Sequence, residues 1–149
     1  MDDKLRNQLV YALIRLRRTK LMATYTDIDL TALFVMKSLA NNRPEADGNI
    51  HLHELQDVLH ISKAAVSQIA GNLSKKGYLL REISKENRRK LTITLTPEGR
   101  EAMQKAEAEF DKMLSGFFVR LGENDSKEMV RLFGRFADIA EELNSSEAG

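Results

Sequence analysis

Between positions 63 and 90 the chain gathers residue types suited to gripping an anionic polymer. Lys63, Ser67, Gln68, Asn72 and Lys75 recur at helical spacing, and Lys85, Arg88, Arg89 and Lys90 follow in a short basic run. Phosphates call for cations, which these lysines and arginines supply together with Lys76. Base edges call for short groups that both donate and accept, which Ser67, Gln68 and Asn72 supply. Arginine also suits a narrow minor groove, because its guanidinium is planar and weakly hydrated. The charge balance agrees. Residues 61–100 carry nine basic and three acidic side chains, or +6, in a 149-residue chain of net charge +1. The flanks carry +2 over 1–29, −2 over 30–60 and −5 over 101–149. Such asymmetry points to a localised anionic partner, against the bland alternative of a solvated surface.

Other chemistries find little support. The chain has no Cys, which excludes disulfides, thiolate nucleophiles and zinc–thiolate sites. His51, His53 and His60 are the only histidines, and with only Glu54 and Asp57 nearby they make a poor metal set. The expectation is His53 as a helix N-cap and His60 in a turn. The acids alternate with Lys and Arg along helix surfaces, and no Ser, His or Lys motif accompanies them. No Gly-rich phosphate loop is present. The chain is therefore expected to be no enzyme and to need no cofactor or metal. No apolar run approaches the roughly 18 residues of a membrane span. The start, MDDKLRNQLV, has acids where a signal peptide would be basic, so a cytoplasmic location is expected. Hydrophobic residues at 42% and charged residues at 30% are an ordinary globular balance, which argues against wholesale disorder.

The elements that must position these residues follow from periodicity. Leu5, Leu9, Leu13 and Leu16 lie on one helical face. A second helix runs from Asp29 or Thr31 to Ala40 with Leu33, Phe34, Met36 and Leu39. A loop of turn formers, 41–49, comes next. A short helix from His53 to Leu59 is expected to bury Leu55, Val58 and Leu59. Ser62 is placed to cap a helix from Lys63 to about Lys76, and Gly77 to end it. Ala65, Val66, Ile69 and Leu73 form its core side, opposite the polar residues. Gly71 costs about 1 kcal/mol in a helix interior, and its missing side chain leaves room for a close approach. The period then changes to two: Leu91, Ile93 and Leu95 alternate with threonines, and Leu79 to Ser84 can pair with them. Thr96-Pro97-Glu98 starts a long helix with Met103, Ala106, Phe110, Met113 and Phe117 on one face. Gly122 breaks it. A last helix, about Asn124 to Leu143, carries Met129, Phe133, Phe136, Ala140 and Leu143 in a coiled-coil-like stripe.

A helix-turn-helix followed by a basic hairpin is a winged-helix arrangement. Residues 50–99, from IHLHELQDVL through KKGYLLREI to LTPEG, resemble the MarR family of bacterial regulators. The quoted motifs are the polar second helix, Lys76-Gly77-Tyr78-Leu79-Leu80-Arg81, the tip Asn87-Arg88-Arg89 and the closing Leu95-Thr96-Pro97-Glu98-Gly99. The resemblance implies a mainly α fold with a small β-hairpin wing and N- and C-terminal dimerisation helices. It implies one domain over 1–149: dimerisation helices at 1–28 and 100–149, and a winged helix-turn-helix lobe at 30–99. It implies sequence-specific binding of double-stranded DNA at a near-palindromic operator by a homodimer, most simply a repressor relieved by a ligand. The alternative is a winged-helix module that binds protein instead of DNA.

Two departures from the family pattern bear on this. Asn87 stands where the family has an acid that orients the Arg two residues on; it can still accept a hydrogen bond from Arg89 but without the charge, and Glu86 is the alternative charged partner. Gln68 stands where an Arg is common, and its amide can pair bidentately with adenine. The family often holds a small, frequently aromatic effector between the dimer helices and the DNA-binding lobe. Tyr11, Met22, Tyr25, Phe34 and Met36 fall in that part of the chain, although such residues at helical spacing also serve simply as core.

Overall fold

The computed structural model describes residues 2–19, 21, 26–40, 50–83, 86 and 91–149, with backbone alone at 50–53, 83, 91 and 92. Among these, the order is α1 (Asp3–Arg17), α2 (Leu30–Ala40), α3 (Ile50–Leu59), α4 (Lys63–Lys75), β1 (Leu79–Ile83), β2 (Leu91–Leu95), α5 (Pro97–Leu121) and α6 (Glu123–Glu147). The fold is mainly helical with a two-stranded antiparallel hairpin, the winged-helix arrangement expected from the sequence. Leu79 pairs with Leu95, Arg81 with Ile93, and Ile83 with Leu91.

Short polar side chains start the helices. Asp2 Oδ1 accepts from Lys4 N at 2.9 Å, Asp29 Oδ1 from Ala32 N at 2.8 Å, and Ser62 Oγ from Ala65 N at 3.0 Å. Each satisfies a backbone donor that has no partner within its helix. The core joins α2, α4, β1 and the start of α5. Ile28, Ala32, Leu33, Val35, Met36 and Leu39 meet Val66, Ala70 and Leu73, with Leu79, Met103 and Ala106 completing it. Met36 and Val35 have no exposed surface. The side of α4 opposite this core is thereby left to solvent.

The turn after α4 is fixed at both ends. Tyr78 N donates to Leu73 O at 3.0 Å and Gly77 N to Ser74 O at 3.0 Å, a Schellman ending that needs the φ of +81° at Gly77. The start of α5 closes on the same turn. Thr96 N donates to Tyr78 O at 3.1 Å, Thr96 Oγ1 donates to Gly77 O at 2.6 Å, and Gly99 N donates to Thr96 Oγ1 at 3.0 Å. Gly99 has no room for a side chain, since a Cβ there would lie 2.1 Å from Tyr78 O. Thr96 thus caps α5 and anchors the hairpin base to the end of α4.

The chain divides into two compact units, 1–109 and 110–149. The first holds the core just described and α1. The second holds the end of α5 and all of α6, separated by Gly122 with φ +82°. Neither α1 nor α6 contains a buried residue.

The third helix departs from expectation in two ways. It begins at Ile50, so His53 is a helical position and not the cap. Val58 and Leu59 are exposed, Val58 at 76%. The half-buried positions are Leu55 and Gln56, so the face turned to the core runs beside Leu55 and leaves Val58 outside. An isolated exposed Val is common on protein surfaces. His60 does sit in the turn, with φ +51°.

Candidate nucleic-acid interface

Lys63, Ser67, Gln68, Asn72 and Lys75 are all exposed on α4. The buried Val66, Ala70 and Leu73 define the opposite side, so the helical period separates a core stripe from a polar one. Lys63, Ser67 and Lys75 fall on one row with Gly71 between the last two. Gln68 and Asn72 form the adjacent row. Ser62 fixes where the helix begins, and the Schellman turn fixes where it ends. The positions of the five side chains along the helix follow from those two stops.

Lys85, Arg88, Arg89, Lys90 and Asn87 lie outside the described residues. Their flanks are described: β1 and β2 pair through Ile83 and Leu91, which brings the two ends of the connecting segment together. Of the residues expected near an effector, Met22 and Tyr25 are likewise outside the description. Tyr11 is exposed on α1, Phe34 is 39% exposed on α2, and Met36 lies in the core. Lys37 reaches over the Phe34 ring, 5.3 Å from its centroid, and pairs with Glu107 of α5 at 2.6 Å. Both charges are about two-thirds removed from solvent, so the pair fastens α2 to α5 beside Phe34.

Three contacts were not read from the sequence, although Tyr78, Arg81 and Gly99 stand in the motifs quoted there. Asp27, just before α2, holds the far end of α4: Tyr78 Oη donates to Asp27 Oδ2 at 2.9 Å, and Lys76 Nζ donates to the Asp27 carbonyl. The hydrogen bond to the Asp27 carboxylate, and burial after it, hold the Tyr78 phenol above its ordinary pKa. Arg81 of β1 donates from Nη2 to Ser67 O on α4 at 3.3 Å. Gly99 permits the close contact described above. Its signal in the sequence is a glycine in the first turn after Thr96-Pro97-Glu98, where nothing else disfavours a side chain.

A polar helix face beside a hairpin is the geometry of a groove-reading element. Residues 31–114 match the family described as winged helix DNA-binding domain. The chain belongs to this family. Over 107 residues this winged-helix chain is 28% identical to the uncharacterized HTH-type transcriptional regulator YhbI of Bacillus subtilis (strain 168), covering 72% of the chain and 70% of that protein. The fold is also that of solved regulators. The PcaV transcriptional regulator from Streptomyces coelicolor, crystallised with its natural ligand, superimposes with a TM-score of 0.66 at 16% identity, covering 94% of this chain and 97% of that one. The S. aureus MepR–DNA complex gives 0.59 at 15% identity, covering 93% and 98%. A MarR/EmrR family transcriptional regulator from Acinetobacter sp. ADP1 gives 0.56 at 17% identity, covering 93% and 94%. At these identities the likeness is one of fold, and it agrees with the MarR resemblance of the sequence. The winged-helix chain therefore shares the fold of MarR-type regulators. The curated relative and the PcaV and Acinetobacter proteins are all named as transcriptional regulators. Among the described residues no helix is long and apolar enough to cross a membrane.

Proposed function

We propose that the chain is a cytoplasmic homodimeric repressor that binds a near-palindromic DNA operator and leaves it when a small effector binds. The observation that carries this reading is the exposed polar face of α4, opposed to a buried core face of the same helix. On this reading Ser67, Gln68 and Asn72 face base edges in the major groove, while Lys63 and Lys75 meet phosphates. Lys85, Arg88, Arg89 and Lys90 carry the wing to the flanking backbone or minor groove.

Pairing is supported by apolar surface that the single chain leaves open. Leu5 and Leu9 of α1, and Phe133, Phe136 and Leu143 of α6, are each more than half exposed. Such stripes at helical spacing suit burial against a second copy. Two copies related by a two-fold axis present two α4 helices to half-sites about one helical turn, roughly 34 Å, apart. For the effector, Tyr11 and Phe34, with Met22 and Tyr25, are the residues proposed to line its site; Met36, wholly buried, serves the core. An effector acts only through its different affinity for the DNA-binding and released forms.

The test is base preference. A duplex selected by the purified protein is titrated with Gln68→Ala and Asn72→Ala. Each loses about 1–3 kcal/mol of discrimination at one base pair if the side chain reads that pair bidentately. Variants with unaltered preference at every position of the site would remove α4 from base reading.

A further inference from the structure

The hairpin alternates with one break. Leu79 is buried, Ile93 and Leu95 are half-buried, and the pairing of Leu79 with Leu95 places these on one side of the hairpin. Arg81 pairs with Ile93 and belongs to that same side. A cation on the inward side of a half-buried hairpin is out of pattern. Its side chain escapes by crossing to α4, where Nη2 donates to the Ser67 carbonyl at 3.3 Å. It passes over Gly71, whose added Cβ would stand 3.9 Å from that nitrogen. Glycine therefore leaves the helix backbone bare beside the guanidinium. Ser67 and Gly71 are one turn apart on the polar side of the helix. Arg81 stays exposed, and among the described residues it has no carboxylate partner. An arginine has five N–H donors, and this contact uses one.

We propose that Arg81 is a phosphate-binding residue of the DNA interface, held at the edge of α4 by the Ser67 carbonyl. The proposal rests on the reading of the chain as a dimeric DNA-binding regulator. The helix contact holds one guanidinium nitrogen, and the exposed Arg81 side chain lies beside the α4 row that carries Ser67. A DNA phosphate at the groove edge matches that planar, charged fork better than a base does.

The experiment compares wild type, Arg81→Gln and Arg81→Lys on the selected operator duplex by fluorescence anisotropy at several salt concentrations. Arg81→Gln removes the charge and keeps a polar side chain with an N–H donor. The slope of log affinity against log salt should fall by about 0.9 per half-site, or roughly 1.8 for the dimer. Between 50 and 200 mM salt, wild type then loses about 12-fold more affinity than the variant does. Arg81→Lys keeps the wild-type slope. Matching melting temperatures confirm that folding is intact, and Arg81→Met replaces Arg81→Gln if that variant does not fold. Weaker binding with an unchanged slope assigns Arg81 a purely structural role and overturns the proposal, as does unchanged binding. A wild-type protein that selects no duplex overturns the regulator reading itself, and the Arg81 role with it.

Discussion

Replacing Gly99 by Ala should destabilise the protein by about 2–4 kcal/mol. The added Cβ would stand 2.1 Å from Tyr78 O, 2.8 Å from its carbonyl carbon and 2.9 Å from its Cα. All three are backbone atoms, so no side chain can swing away. The helix start and the turn must separate by about 1.3 Å to bring the 2.1 Å approach to the 3.4 Å at which ordinary contact begins, and forced overpacking of this kind costs about 1–3 kcal/mol. The shift also pulls on Thr96 N to Tyr78 O and on Thr96 Oγ1 to Gly77 O, which together anchor the hairpin base. Losing the Thr96 cap of α5 adds about 1 kcal/mol. Urea unfolding followed by far-UV circular dichroism, at one protein concentration for both chains, measures the change. A Gly99→Ala protein with the parent's midpoint and slope would refute the close contact. DNA affinity should also fall, because the same turn sets the end of α4.

Gly134→Ala provides the opposite case: nothing lies within 4 Å of its Cβ and it falls off the Phe133–Phe136 stripe, so the same assay should show a gain of about 0.5–1 kcal/mol. Ser62→Ala removes the acceptor for Ala65 N and should cost about 1 kcal/mol of stability, seen as a lower urea midpoint, with a matching loss of DNA affinity. Tyr78 holds its proton more tightly in the fold than in the unfolded chain. Its contribution is full below about pH 10 and is lost as pH rises through the raised pKa, so Tyr78→Phe should flatten the alkaline fall in stability relative to the parent. Phe133→Asp with Phe136→Asp should give a monomer by sedimentation equilibrium, because both rings are open in the single chain. A dimer of parental affinity would place the interface elsewhere.

Much of this architecture can be read from residue order. The Ser62 cap, the Gly77 stop and the Pro97 start are local signals, and the chain obeys each of them. The period-two run of Leu91, Ile93 and Leu95 marks the strand, and the apolar stripes of α1 and α6 are exposed in the single chain. What periodicity misses is set by tertiary contact. Val58 has the right type and spacing for the core, yet α3 turns Leu55 and Gln56 toward it. Ile50 extends that helix past His53 because no residue there blocks it. Gly71 was readable as a gap but not as the place over which Arg81 passes, since the two are brought together only by the hairpin folding back on α4. Asp27 and Tyr78 are 51 positions apart, and their hydrogen bond has no local signature.

On the proposed reading, α4 and the wing of two paired copies read one duplex. The most direct measurement is selection of DNA from a random pool by the purified protein, followed by sequencing and by the stoichiometry of the selected complex. The expected result is an inverted repeat with half-sites about 10 base pairs apart, bound by two chains. Recovery of no enriched sequence, or of a single unrepeated site bound by one chain, would contradict it.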